Sequence, residues 1–292
     1  MKIQTIRNHY GWVVVLGFAT ALILGTVGFA LASSHFTSPD PFTTAELSTN
    51  WEGDRTFPTG GVTSVSEFGR DEVALIGIDS SLTASGGFYR TEGIKTVGVQ
   101  NFGTAVEVDL YLDPDWEDKA VRAGFWVVGD DGAGTRDNLF GIIEFVNSED
   151  CDAEEDCSTH PTNRPDHEGF RIWDSNIGWT EELDTDFEYG EWVTLGIELN
   201  TVTEKYIYYI NGEEVGTATG GTEFIRELFL NSYNYGLDTF PNLSSDSYST
   251  HWHAGLLDPE TKDDCKKGDW EDFGFRNQGL CIQFVNTGKD SR

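Results

Sequence analysis

Residues 191–216 read EWVTLGIELNTVTEKYIYYINGEEVG, and the fold is decided by how this stretch alternates. Val193, Leu195, Ile197 and Leu199 alternate with Trp192, Thr194, Gly196 and Glu198, which is the period of a strand with one buried face. A second β-rich run, Lys205 to Ile210, meets Asn211-Gly212 before Glu213 to Thr217. Both central residues of a two-residue type I′ turn need positive φ, which Asn-Gly adopts readily, so a tight hairpin is predicted.

The same character repeats outward from the hairpin. Val73 to Ile78, Gly87 to Glu92, Ile94 to Gln100, Ala105 to Leu112, Val121 to Val128, Leu139 to Val146, Phe170 to Trp173 and Phe224 to Leu230 are all short and β-rich. Gly, Asp, Asn and Pro fill the connections, and no long run with helical period follows the first 32 residues. Short strands separated by turn signals predict an all-β antiparallel sandwich, most simply a jelly roll. A chain of 292 residues is enough for one large sandwich, placed at residues 59–250. An irregular lead-in at 33–58 precedes it, and a linker at 251–264 and a small unit at 265–292 follow.

The first 32 residues read as a targeting segment. Lys2, Arg7 and His9 precede an apolar run from Gly11 to Leu31, and Ala30-Leu31-Ala32 is an Ala-x-Ala cleavage site. A cleaved signal peptide is expected, with an uncleaved membrane anchor as the alternative, because the run is long enough to span a bilayer. Either places the body of the chain outside the cytoplasm, at the cell surface or beyond it. Four cysteines, Cys151, Cys157, Cys265 and Cys281, allow three disulfide connectivities. The two local pairs are expected, since each lies within one sequence unit; neither has the C-x-x-C spacing of a zinc knuckle. Asp and Glu number 50 against 19 Lys and Arg, and the net charge of −31 argues against nucleic acid or an anionic membrane surface as partner.

The hairpin pattern W-x-x-L-x-I-x-L followed by Y-x-Y-x-I-N-G-E-x-V resembles the concanavalin A-like lectin/glucanase superfamily, particularly its laminin G-like members. The tail CKKGDWEDFGFRNQGLCIQFVNTGK, Cys265 to Lys289, resembles a short Cys-bracketed motif at the C-termini of exported bacterial proteins. There Asn277 is placed to cap a short helix with Cys281, Phe284 and Val285 facing inward.

Glu107-Val108-Asp109-Leu110-Tyr111-Leu112-Asp113 resembles the E-x-D-x-E or E-x-D-x-x-E strand of laminarinase-type glycoside hydrolases, which share this fold. That resemblance implies one carboxylate as nucleophile and a second as acid/base. The second glutamate is missing here: Tyr111 or Leu112 stands in its place, and Asp113 comes one residue late. His251-Trp252-His253 puts two imidazoles on one side of a strand, a candidate metal pair, but with no third ligand nearby in sequence they are expected to be surface histidines. Asp130, Asp131, Asp137 and Asn138 gather oxygen ligands in a Gly-rich turn, and the resemblance implies that such domains often carry calcium. The turn lacks the order and closing glutamate of an EF-hand.

Alternation in three strands leaves a set of polar and aromatic side chains facing outward. These are Glu107, Asp109 and Tyr111; Arg122 and Trp126; and Arg171 and Trp173. If the strands neighbour one another in one sheet, the face suits a sugar, with flat rings for pyranose faces and charged groups for hydroxyls. The expected function is a secreted or surface-displayed carbohydrate-binding or adhesive module, whose partner is an extracellular glycan or cell-surface component. A laminarinase-like hydrolase or lyase and a structural surface protein are the alternatives.

Overall fold

The computed structural model describes residues 36–82, 90–148, 167–180, 183, 185–221, 223–236, 238, 243–255, 262, 265–266, 270, 275 and 277–287. The N-terminal targeting segment and the Cys151–Cys157 pairing lie outside the described residues. The strands are β1 (Trp51–Arg55), β2 (Gly61–Glu67), β3 (Arg70–Ile78), β4 (Thr91–Thr96), β5 (Ala105–Tyr111), β6 (Val121–Asp130) and β7 (Arg136–Ser148). They continue with β8 (His167–Asp174), β9 (Gly178–Trp179), β10 (Trp192–Asn200), β11 (Lys205–Ile210), β12 (Glu213–Thr219), β13 (Ile225–Tyr233) and β14 (Tyr248–Ala254). Among the described residues two α-helices, α1 (Thr44–Thr49) and α2 (Gln278–Thr287), flank this all-β body.

The strands form two antiparallel sheets of a jelly-roll sandwich. The first runs β1-β4-β13-β6-β7-β8-β9 and the second β12-β11-β10-β5-β14-β3-β2. Between them lies one apolar core built by the predicted alternation: Val193, Leu195, Ile197 and Leu199 of β10 face Val121, Ala123, Phe125 and Val127 of β6 and their neighbours. Burying each of the larger side chains contributes about 1.5–3 kcal/mol. Tyr206 and Tyr208 reach across this core from β11. The Tyr208 hydroxyl accepts from the Ile142 amide and donates to the Trp173 carbonyl, which fixes β7 and β8 over the second sheet. At the hairpin tip Asn211 and Gly212 both take positive φ, 50° and 79°, as the turn requires.

Three boundaries differ from expectation. The lead-in at 33–58 contains α1 and the edge strand β1, which is short and carries Glu52, Gly53 and Asp54, so its sequence shows little β character. The segments read at 87–92 and 94–100 meet in a single strand, β4. The sandwich does not end at 250. The chain at 251–254 completes β14, an interior strand between β5 and β3, with Trp252 fully buried. Its outward residues Ser249, His251 and His253 are polar, the two histidines having polar partners in Glu67 and Arg70, and that polarity made the stretch look like a linker.

The C-terminal unit has its own small core. Cys265 and Cys281 are bridged as expected, and Phe275, Trp270, Leu280, Phe284 and Val285 pack around the bridge. Asn277 caps α2, its side-chain oxygen accepting from the Leu280 amide at 3.0 Å.

Candidate functional site

The seven outward residues do not share one face. Glu107, Asp109 and Tyr111 lie on β5 in the second sheet, whereas Arg122 and Trp126 on β6 and Arg171 and Trp173 on β8 lie in the first. The single face expected from alternation is therefore not assembled. Alternation fixes the side on which a residue points; it says nothing about which strands are neighbours.

On the second sheet the three β5 residues are covered. The β2–β3 turn, with Phe68 and Gly69 at positive φ, curls over the outer surface and stacks Phe68 on Tyr111 at 3.7 Å between ring centroids. Asp109 accepts from Arg70 and, at 2.6 Å, from the Thr194 hydroxyl, while His253 Nδ1 stands 3.8 Å away. Burial pushes the Asp109 carboxyl up, but the His253, Arg70 and Thr194 interactions together hold it below the usual carboxylate range. The lead-in follows alongside Glu107: Thr37 bridges Val106, and Phe36 lies over Gly196 against Tyr209. His251, expected at the surface, is buried against Phe68, with Nε2 3.1 Å from Glu67. Burial lowers its pKa, and the Glu67 charge works the other way.

The Gly-rich turn of the calcium expectation closes on its own hydrogen bonds. Asp130 Oδ1 accepts from the Gly132 and Gly134 amides at 2.9 and 3.1 Å, and its Oδ2 takes Arg226 at 2.9 Å. Asp131 accepts from the Ala133 and Thr135 amides, Asp137 accepts from the Leu139 amide, and Asn138 sits at φ 59°. Among the described residues no group of three or more His, Cys, Asp or Glu is placed to hold a metal ion.

The outer face of the first sheet is different, because it carries a second apolar cluster outside the core. Strand register sets Phe229, Trp126, Ile142, Trp173 and Trp179 side by side across β13, β6, β7, β8 and β9. Trp126, Ile142 and Phe229 are buried, while Trp173, Trp179 and the adjoining Phe140 are half-exposed. Next to this aromatic row runs a polar one: Asp54, Gly93, Asn231, Gly124, Glu144 and Arg171, in register across β1, β4, β13, β6, β7 and β8. At ordinary strand spacing that row is about 24 Å long. Its glycines have a steric cause. A Cβ at Gly93 would run into Asn231 Oδ1, and one at Gly124 into Trp126 Nε1, so both side chains lie flat against the sheet only because these positions are Gly.

Glu144 anchors the middle of the polar row. It is buried and accepts from Arg122 Nε at 3.0 Å, Arg122 Nη2 at 3.1 Å and Arg171 Nε at 2.9 Å. Arg171 in turn lies 4.2 Å from the Trp179 ring centre and Arg122 5.2 Å from it. Burial pulls the Arg122 guanidinium down, and the charge and hydrogen bonds of Glu144, with the neighbouring Tyr235 and Tyr233, more than offset it. Two guanidiniums from the flanking strands fix this carboxylate in place, so Glu144 is a structural clamp of the face.

Glu144, Trp179, Asn231, Phe140 and Phe229 were missed by the sequence reading. One signal was present. Leu139 to Val146 is apolar almost without alternation, which in a strand means that both faces are covered.

No protein-family model and no curated protein sequence matches the chain. Among solved structures it is similar to a prokaryotic β-1,3-1,4-glucanase (lichenase) derived from a mouse hindgut metagenome, at 14% identity and TM-score 0.40, over 71% of this chain and 91% of that one. It is similar to a Bacillus licheniformis β-glucanase at 12% identity and TM-score 0.35, over 70% and 89%. A GlcNAcα1-4Gal-releasing endo-β-galactosidase from Clostridium perfringens gives 11% identity and TM-score 0.44, over 74% and 60%. These are distant likenesses of a β-sandwich, and no function is taken from them.

Proposed function

We propose that the chain is an exported carbohydrate-binding module whose ligand lies across the strands on the outer face of the first sheet. The observation that carries this reading is the aromatic row, partly open at Trp173 and Trp179, in register beside a polar row on a surface that is not the core. Flat rings take the apolar faces of pyranoses while the adjoining polar side chains take hydroxyls. Export is supported by the Cys265–Cys281 bridge, which belongs to an oxidising compartment. The reading is of binding without cleavage, because Glu144 is clamped by Arg122 and Arg171, and Asp109 is held by Arg70 and Thr194 under the β2–β3 turn.

Incubation with a panel of polysaccharides, scoring both retention and released reducing ends, tests this. Retention by at least one polysaccharide without new reducing ends is expected. Released ends would replace the module with a hydrolase, and no retention anywhere in the panel would favour a structural surface protein.

A further inference from the structure

The end of the aromatic row away from Trp179 is roofed by arginines. Arg55, at the end of the edge strand β1, reaches in over β4 and β13, bringing its guanidinium 4.7 Å from the Trp126 ring centre on β6. Arg136 lies 4.7 Å from the Phe140 ring centre and 5.1 Å from that of Phe229. Arg55 meets Asp54 at 2.6 Å, but the carboxylate facing Arg136, Glu227, stands off at 3.9 Å and is shared with Arg226. Burial lowers the Arg55 pKa; the Asp54 charge works against this and the Arg136 charge with it, so two like charges are held near each other over one apolar floor.

Polar atoms with no partner lie on this same face. Trp126 Nε1, Asn231 Nδ2 and Arg136 Nε are buried donors without an acceptor, and Asn231 Oδ1 lacks a donor. Asn231 is 2% exposed and Trp126 6%. Buried donors are rarely left unpaired, and three on one face call for an acceptor-rich group. The complement of two guanidiniums, one with its Nε unpaired, and the N–H donors of Trp126 and Asn231 is an anion, with a neighbouring hydroxyl to serve Asn231 Oδ1. On a chain of net charge −31 an acidic polymer is repelled in general, and Arg55 and Arg136 over this floor supply cations to set against that repulsion.

We propose that the ligand is an acidic glycan, whose carboxylate or sulfate group seats between Arg55 and Arg136 above Trp126 and Asn231. This rests on the carbohydrate-binding reading above. The sugar rings continue from that seat along the row toward Trp173 and Trp179.

Matched pairs that differ only in charge test it by titration calorimetry: polygalacturonate against its methyl ester, and a sulfated galactan against its desulfated form. One acidic member is expected to bind at least tenfold more tightly than its neutral partner at low ionic strength, with the preference shrinking as salt rises. The pair that shows the preference tells a carboxylate ligand from a sulfate. Arg136→Gln is expected to reduce the preference about tenfold, with a thermal melt confirming the fold; the salt series on the unaltered protein needs no variant. Equal binding of charged and neutral members, or a preference insensitive to salt, overturns the acidic class and leaves the glycan reading standing. Failure to bind these four while a neutral polysaccharide of the wider panel is retained does the same. Failure to bind any glycan overturns both.

Discussion

Replacing Glu144 with leucine is expected to remove about 3–5 kcal/mol of folding stability. The carboxylate is 2% exposed and receives hydrogen bonds from two arginines on the strands either side of it. Leucine fills much of the space but leaves both guanidiniums without the charge that held them, and an uncompensated buried charge is what makes breaking such a pair expensive. The replacement also unseats Arg171 and Arg122 from the Trp179 ring, so the half-exposed end of the aromatic row loses its order. Glu144→Gln keeps shape and one acceptor, and is expected to lose about half as much. Urea unfolding at neutral pH measures both through the shift in midpoint at constant slope. A change within about 1 kcal/mol for the leucine variant would mean that Glu144 is not the clamp of this face.

The second large effect is on the opposite sheet and carries a pH signature. Arg70→Ala is expected to lose about 3 kcal/mol at neutral pH, because Asp109 is buried and Arg70 is its cationic partner. The folded-state pKa of Asp109 is depressed below its unfolded value: burial acts to raise it, and the His253, Arg70 and Thr194 interactions outweigh that. A depressed carboxyl contributes stability that is complete above the unfolded value, about pH 4, and is lost as the pH falls through the folded value. The gap between the native protein and the Arg70→Ala variant is therefore expected to narrow on acidification below about pH 4. Unfolding curves at a series of pH values show it, and a gap that stays constant down to pH 2 would assign the loss to packing of Arg70 on Trp192.

Much of the sandwich was legible because one face of each central strand is buried. Val106, Val108 and Leu110 of β5, Phe125 and Val127 of β6 and Leu195 and Ile197 of β10 all point where alternation sends them. The Asn211-Gly212 turn was legible for a local reason, since its conformation depends on those two residues. The candidate face was not legible, for two physical reasons. Its rows run across strands, so they depend on register between residues as far apart in sequence as Gly93 and Asn231. Its apolar members, Ile142 and Phe229 among them, sit on strands that are apolar on both sides, where alternation fades. β14 shows the reverse failure: His251 and His253 are polar and covered, because Glu67 and the Arg70–Asp109 pair give them partners that no local pattern announces.

A glycan is expected on the first sheet's outer face and not on the covered face of the second. Retention on a polysaccharide that binds the unaltered protein, compared across Trp173→Ala, Trp179→Ala and Trp192→Ala, measures this most directly. Each of the first two is expected to weaken retention about tenfold, with the melting temperature nearly unchanged, because both rings are half-exposed on the aromatic row. Trp192, which lies under Arg70 on the second sheet, is expected to leave retention as it was. Unchanged retention in Trp173→Ala and Trp179→Ala, or a loss confined to Trp192→Ala, would contradict the account.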